Sequence, residues 1–322
     1  MSILKYHRVG YSEGTVLTCR LILERFEKEM TEEEIKWIQS IERHYVNWLF
    51  STAGLYDKSI VVDTSRAFML EEESNPIRQQ FYDSKTYRQY IEELKNAFDN
   101  SSCIFFMVHN EFHSIQHVEL KKQCVVDQLL SKSLTLVNNE YFGIPRGEMI
   151  GAWCNPYPWK LIMEKHEKII ILSPFVELIE QQIEKKNYKY LWKVESWNLS
   201  KDFEVFYVKM PFCFMNDGPD QNFFETLQHI ENKIVNIHQE HQVDIVLLSC
   251  GAYSHLLVHR LYEKYNLSVM QIGSPLPCLW GIDFQQKYNI SHQQQEYWIH
   301  QCPSHLAYHR TDVPDIQGYF GR

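Results

Sequence analysis

A glycine-bearing segment near the end of the chain is the clearest candidate for chemistry in the sequence. It follows an apolar run at residues 244–249 and leads directly into an amphipathic run. Its glycine would let backbone N–H groups approach a phosphate at the positive end of a helix. The alternative is that the glycine only permits a tight turn, and the sequence leaves the two interpretations even. The segment consists of Ser249, Cys250, Gly251, Ala252 and Tyr253.

Small residues follow two other apolar runs as well. Ser173 follows the run at residues 168–172, and Gly273 with Ser274 follows the run at residues 268–272. In parallel α/β sheets, ligands bind beyond the carboxyl ends of the strands. We therefore expect these residues and the Gly251 segment to line one nucleotide site.

The N-terminal segment offers a cation, a flexible glycine and a carboxylate within six residues. These are Arg8, Gly10 and Glu13. Taken alone, the pattern is typical of a junction between a strand and a helix. It becomes a candidate site only through the resemblance described below.

Other reactive side chains indicate different chemistry. Cys250 at the start of a helix is expected to have a depressed pKa, which is a route to a nucleophile. No histidine accompanies it in a local pattern, so a cysteine hydrolase is a minority interpretation.

Histidines four residues apart could bind a metal from one face of a helix, but neither set has a cysteine or carboxylate on the same helical face, which favours a structural role. The two sets are His109, His113 and His117, and His255 and His259.

The elements that position these residues alternate regularly over residues 167–281. Short apolar runs separated by amphipathic runs of helical length predict a βαβαβαβ unit with a parallel sheet. The fold class is therefore α/β, with a Rossmann-like parallel sheet flanked by helices. The predicted strands are residues 168–172, 204–210, 244–249 and 268–272, and the predicted helices are residues 176–185, 222–238 and 253–265.

The rest of the chain predicts a second, helix-rich lobe. We place this lobe at residues 1–146 and the Rossmann-like nucleotide-binding lobe, with a polar tail from residue 283, at residues 147–322. The N-terminal lobe has charged amphipathic runs at residues 21–49 and 76–98, a helix at residues 119–130, and strands at residues 59–63 and 103–108.

Composition limits the classes of partner. The net charge of -9 argues against a nucleic-acid partner, although a helix N-terminus, a few cations or a divalent metal could still hold one diphosphate. The 8 cysteines include no C-x-x-C pair and are typical of reduced thiols. No segment approaches the ~20 apolar residues of a membrane span, and no apolar signal core begins the chain. The expectation is a soluble cytoplasmic protein, with a homo-oligomer possible.

Several fragments together resemble a GT-D-type glycosyltransferase-like family associated with polysaccharide biosynthesis. The order and spacing of the fragments follow the family pattern over most of the chain, with Ala53-Gly54-Leu55 and residues 87–100 as fainter matches in the first lobe. The stronger matches are Pro158-Trp159, Ser173-Pro174-Phe175, Asp244-Ile245 leading to residues 249–253, Ile272-Gly273 and Trp280-Gly281-Ile282.

The same resemblance gives the N-terminal segment its expected role. The family carries R-x-G-D-x-E, whose acidic pair is tied to a metal and a sugar diphosphate, and Arg8, Gly10 and Glu13 match it. Tyr11 stands where the family has its first acid, which leaves dependence on Mn²⁺ or Mg²⁺ and catalysis itself open.

The resemblance implies transfer of a sugar from a nucleotide-diphosphate sugar to a glycan or another hydroxyl acceptor. Arg8 and the amides around Gly251 and Gly273 would hold the diphosphate, while Glu13 would contact the sugar or a metal or accept the acceptor proton. A non-catalytic nucleotide-binding protein is the alternative. A hydrolase or methyltransferase is less favoured, because a methyltransferase normally has a glycine-rich loop after its first strand and residues 173–175 supply none.

Overall fold

A computed structural model of the chain describes most of its 322 residues. The described residues are 5–51, 53–60, 76–99, 103–106, 112, 115–137, 157–211, 213, 216–273, 275–283 and 292–300.

Helices and strands alternate along the described chain. The strands are β1 (Lys5–Val9), β2 (Cys103–Phe106), β3 (Lys168–Ser173), β4 (Glu204–Lys209), β5 (Ile245–Leu248) and β6 (Val269–Gln271). The α-helices are α1 (Tyr11–Phe26), α2 (Glu32–Ser51), α3 (Pro76–Asp83), α4 (Lys85–Asp99), α5 (Gln116–Val137), α6 (Tyr157–Met163), α7 (Val176–Glu184), α8 (Phe223–His241), α9 (Tyr253–Tyr265) and α10 (Pro275–Leu279).

Within the described residues, the strands form one six-stranded sheet in the order β2-β1-β6-β5-β3-β4. All neighbouring pairs are parallel, with Tyr6 opposite Met270 and Leu248 opposite Gln271. The predicted α/β fold with a parallel sheet is therefore confirmed. β1 and β2 belong to the same sheet as the later strands, and the predicted lobe boundary at residue 146 lies outside the described residues.

Alternating side chains of the buried strands divide the core into two faces. In β3, Ile170 and Leu172 join one cluster of buried residues, while Ile169 and Ile171 join the other. The first cluster includes side chains from α1, α2, α4, α8 and α9, and we call it the α9 face. The second includes side chains from α6, α7 and α10, and we call it the α7 face. Helices on both faces bury the sheet, as parallel sheets require.

Local chemistry explains where the amphipathic run at residues 21–49 is interrupted. The Thr31 hydroxyl accepts a hydrogen bond from the Glu34 amide (3.3 Å), and the Glu34 carboxylate accepts one from the Thr31 amide (2.8 Å). This reciprocal pair is a capping box, which ends the preceding turn and begins α2 at Glu32.

The predicted strand at residues 59–63 is wrong where it is described. The Asp57 carboxylate accepts hydrogen bonds from the Ser59 amide (3.0 Å) and hydroxyl (2.5 Å). The Ile60 amide donates to the Asp57 carbonyl (3.0 Å), so the backbone turns here instead of extending. Residues 61–63 lie outside the described residues.

None of the described helices combines the length and apolar character that a membrane crossing requires.

Candidate functional site

The segment after β1 and the turn after β5 lie at the same edge of the sheet. Only β6 separates the two strands, and all three run parallel. Strands lie about 4.8 Å apart, so the carboxyl ends of β1 and β5 are separated by about 10 Å. Gly273 follows β6 and lies between Gly10 and Gly251. The structure therefore places the three predicted glycine positions along one edge.

Glu13 lies directly over Gly10 at the start of α1. It is in the first turn of the helix and only 8% exposed. A Cβ at residue 10 would lie 2.8 Å from Glu13 Oε2, so the absence of a side chain lets the carboxylate approach the helix start. Arg8 is in β1 opposite Phe105, but the side chains of Arg8 and Tyr11 lie outside the described part.

The Glu13 carboxylate affects the pKa of Tyr90 in α4. Its side chain is fully buried, and its ring packs edge-on against Phe223 at 5.6 Å. Burial raises the pKa of Tyr90 well above its usual value, and the Glu13 carboxylate raises it further. The Tyr90 hydroxyl has no hydrogen-bond partner among the described residues. The Glu13 end of the site thus contains a buried phenol that the sequence did not indicate.

The turn at Gly251 is tied to the loop that follows α2. Gly251 has φ of 56°, and a Cβ there would lie 2.4 Å from the Ala53 carbonyl oxygen. The Ala252 amide donates to the same carbonyl at 2.9 Å. The tight turn and the close approach of Ala53 therefore both require glycine.

Most amides at the start of α9 already donate hydrogen bonds within the protein. Cys250 donates to Ser254 Oγ (3.3 Å), Tyr253 to the Cys250 carbonyl (3.3 Å) and Ser254 to the Gly251 carbonyl (3.1 Å). The amide of the exposed Gly251 meets no acceptor among the described residues. A phosphate cradle at this turn remains a prediction, and Gly251 is its best-placed donor.

The expected depression of the Cys250 pKa is wrong. The thiol is 5% exposed, with Sγ 3.1 Å from Ser254 Oγ. Burial raises the pKa of Cys250 to about 12, because the thiolate loses its hydration. A cysteine nucleophile at this turn is therefore disfavoured.

Tyr253 and Ala252 are buried packing residues. The Tyr253 ring stacks on Phe223 at 4.2 Å, and a Cβ at Gly54 would lie 3.0 Å from that ring. Burial raises the pKa of Tyr253 well above its usual value, so the phenol stays protonated. These contacts hold α8, α9 and the loop at residue 54 together beneath the edge.

The other predicted nucleotide-binding residues lie at the same edge. The buried Ser173 accepts a hydrogen bond at Oγ from the Phe175 amide at 3.2 Å. The half-buried Ser249 and Gly273 donate backbone hydrogen bonds to carbonyls of β3 and β5, at 2.9 and 3.0 Å. Gly273 has φ of 71°, and Ser274 lies outside the described residues.

Sequence reasoning missed a buried polar cluster between β1 and α9. His7 and His255 meet with their Nδ1 atoms 3.4 Å apart, and Lys5 Nζ lies 3.1 Å from His259 Nδ1. The partners are distant in sequence, so no local pattern could have paired them. The sequence showed only that His255 and His259 are four residues apart.

The described residues contain no group of three or more histidine, cysteine or acidic side chains placed to hold a metal. His255 and His259 contact β1, and His117 Nε2 lies against the Glu34 carboxylate. His109 and His113 lie outside the described residues. A metal held by Glu13 remains a prediction.

Comparison with known proteins adds no relative. No family model matches the chain, and neither a curated protein nor a solved structure matches it. The resemblance to the GT-D-type family therefore rests on the motifs described above.

Proposed function

We propose that this chain binds a nucleotide-diphosphate sugar at the carboxyl edge of its sheet and transfers the sugar to a glycan or other hydroxyl acceptor. The supporting observation is that the Gly10 and Gly251 segments, distant in sequence, lie at one edge with only β6 between their strands. These are the segments in which the motif resemblance concentrates its donor-binding residues.

The connections of the sheet support a crevice at this edge. The helices that follow β1 and β5 contribute to the α9 face, whereas those that follow β3 and β6 contribute to the α7 face. Neighbouring strands therefore send their loops in opposite directions, and ligands of open α/β sheets bind where this happens. Gly10, Gly273 and Gly251 come shortly after β1, β6 and β5, the strands on either side of this point.

Each candidate residue has a chemical role in the proposal. Arg8 and the exposed Gly251 amide would neutralise the departing diphosphate, with Gly273 allowing close approach. Glu13 would contact the sugar, hold Mn²⁺ or Mg²⁺, or accept the proton of the acceptor hydroxyl. Tyr11, which replaces an acid of the family pattern, leaves Glu13 as the matched carboxylate of the segment.

Calorimetric titration of the full chain with UDP-, GDP- and dTDP-sugars, with and without Mn²⁺, tests donor binding. We expect one of these donors to bind and to be slowly hydrolysed when water replaces the acceptor. Glu13→Gln should reduce that hydrolysis at least about 100-fold if Glu13 supplies the base. Glu33→Gln, at an exposed position of α2, is the matched control. Absence of binding to every donor would overturn the proposal.

A non-catalytic nucleotide-sugar-binding protein is the second candidate. It is favoured by Tyr11 in place of an acid and by the internal hydrogen bonds of most amides at the α9 start. Donor hydrolysis separates the two functions. Tight donor binding without measurable turnover, together with unchanged affinity in Glu13→Gln, would establish the binding protein instead of the transferase.

A further inference from the structure

Two imidazoles meet inside the α9 face, one from β1 and one from α9. His7 and His255 are both fully buried, with Nδ1 atoms 3.4 Å apart and ring centroids 5.6 Å apart. Phe98 of α4 packs against both rings, at centroid distances of 5.1 and 5.4 Å. The pair is thus buried against an aromatic ring and connects two elements far apart in sequence.

The geometry fixes how many protons this pair can hold. Two Nδ1 atoms at hydrogen-bond distance require one imidazole to donate and the other to accept. A proton on the accepting Nδ1 would turn two N–H groups towards each other. The Nε2 atoms of His7 and His255 have no partner among the described residues that could stabilise an added charge. The pair is therefore stable when both rings are neutral.

The charges around the pair also oppose protonation. Lys5 is fully buried beside it, with Nζ 3.0 Å from Glu263 Oε1 and 3.1 Å from His259 Nδ1. Burial lowers the pKa of His7 well below its usual value, and His255, Lys5 and His259 lower it further. Burial alone lowers the pKa of His255 to about 3.

Among the described residues, the other elements that pack here bring no compensating carboxylate to the pair. α4 contributes the uncharged Phe98 ring, while its Glu93 binds Arg260 of α9 at 2.7 Å. Glu231 of α8 also binds Arg260, at 3.1 Å. β6 contributes the neutral Gln271 one position beyond the register pair formed by Tyr6 and Met270. The side chains of β2 lie outside the described residues.

We propose that the His7–His255 pair is an acid-sensitive clasp that holds β1 to the first turns of α9. Gly10 immediately follows β1, and Gly251 lies two residues before α9. Release of the clasp would therefore loosen the contact between the two segments that form the candidate site. This inference does not depend on which ligand binds there.

The direction of the pH effect follows from the lowered pKa values. The unfolded chain takes up protons below about pH 6.5, whereas the folded pair does not until much lower pH. The stabilisation is fully present above about pH 6.5 and is lost progressively as the pH falls towards the folded pKa values. Mild acid should therefore reduce the stabilisation from this clasp before most carboxylates are protonated.

Urea unfolding of the full chain at pH 8 and pH 5 tests the clasp. The unfolding equilibrium constant should rise on acidification by about 30-fold for each such imidazole. The variant His7→Gln/His255→Gln keeps amide hydrogen bonding but has no titrating group at either position. Because two imidazoles are removed, the acid-induced rise in its unfolding equilibrium constant should be about 1000-fold smaller than that of the wild type. His44→Gln, at an exposed position of α2, should keep the wild-type rise. Equal rises in the wild type and the double variant would overturn the proposal.

Hydrogen exchange of the wild type gives a second test that needs no variant. After correction for intrinsic rates, amides in the first two turns of α9 should lose protection between pH 7 and pH 5 by at least about 10-fold. Amides in the middle of α7, which packs on the opposite face of the sheet, serve as the internal reference. The same change in protection in both helices between pH 7 and pH 5 would contradict the clasp even if the double variant failed to fold.

Discussion

Two buried carboxylates on the α9 face meet cations inside the core, whereas two buried amides on the α7 face bond to the backbone. Glu42 and Glu231 are fully buried on the α9 face, each in contact with an arginine. Gln182 and Asn198 are buried on the α7 face and carry no charge. A charge in the core is stable only while all its partners remain, but an amide depends on one or two local hydrogen bonds. The two faces should therefore differ in their response to mutation and pH.

Glu42 is the centre of one of these buried charge networks. Its carboxylate accepts hydrogen bonds from the hydroxyls of Tyr87 (2.5 Å) and Tyr82 (2.9 Å) and lies 2.6 Å from Arg20 Nε. Burial raises the pKa of Glu42, while Arg20 and the two phenols lower it. The network joins α1, α2, α3 and α4 around one carboxylate.

Gln182 shows the contrasting arrangement on the α7 face. Its Nε2 donates to the carbonyls of Gly281 (3.1 Å) and Tyr297 (2.8 Å), and its Oε1 accepts from Asn187 (2.7 Å). The amide thus connects α7 to two later segments of the chain. None of these groups changes its charge at ordinary pH.

The largest expected effect is at Glu42. Glu42→Ala should lower the free energy of unfolding by about 3 to 5 kcal/mol, because Arg20 and two phenols lose their partner. Glu33→Ala, at an exposed position of the same helix, should change it by less than about 0.5 kcal/mol. Urea unfolding at pH 7 measures both. Similar losses in the two variants would remove the contrast between the faces.

A smaller effect is expected at Gln182. Gln182→Leu should lower the free energy of unfolding by about 1 to 3 kcal/mol, since two buried carbonyls lose a donor. The loss should be the same at pH 5 and pH 8, because no ionisable group takes part. Gln181→Leu, at the exposed neighbouring position, is the control. A loss that changed with pH would show that charge also matters on the α7 face.

The smallest expected change in the free energy of unfolding concerns the turns after β3 and β5, which lead to the two faces. The turn after β3 uses the Ser173 hydroxyl, whereas the turn after β5 needs Gly251 in a left-handed conformation. Gly251→Ala should lower the free energy of unfolding by at least about 1 to 2 kcal/mol, from the backbone conformation alone. Ser249→Ala should stay within about 0.5 kcal/mol of the wild type. Thermal unfolding checks both, and equal melting temperatures would contradict the need for glycine.

Local patterns predicted the elements of the second half of the chain well. The predicted helix at residues 253–265 matches α9, because a glycine turn precedes this amphipathic run and Asn266, in a left-handed conformation, ends it. The other predicted strands and helices of residues 167–281 also exist, with ends shifted by a few residues. Start and stop signals of this kind are encoded locally.

The strand order and the buried ionic groups could not be predicted in the same way. Lys5 and His7 alternate with Tyr6 in β1, which is typical of a strand with one face in solvent. Both are buried because α9 supplies His255, His259 and Glu263 from the other end of the chain. Only the three-dimensional arrangement reveals these partners. That the Gly10 and Gly251 segments lie at the same edge of the sheet was likewise only a hypothesis from the sequence, because the segments are far apart along the chain.

The position of β1 also determines when this fold can be completed during synthesis. β1 is synthesised before the other described strands, yet it pairs with β6, which is the last of them to be made. Pairing across so many intervening residues closes a very long loop and slows folding. Until β6 emerges, one side of β1 presents unpaired backbone groups that can recruit other strands. Nascent chains of this protein should therefore depend on chaperones until the last third of the sequence has been translated.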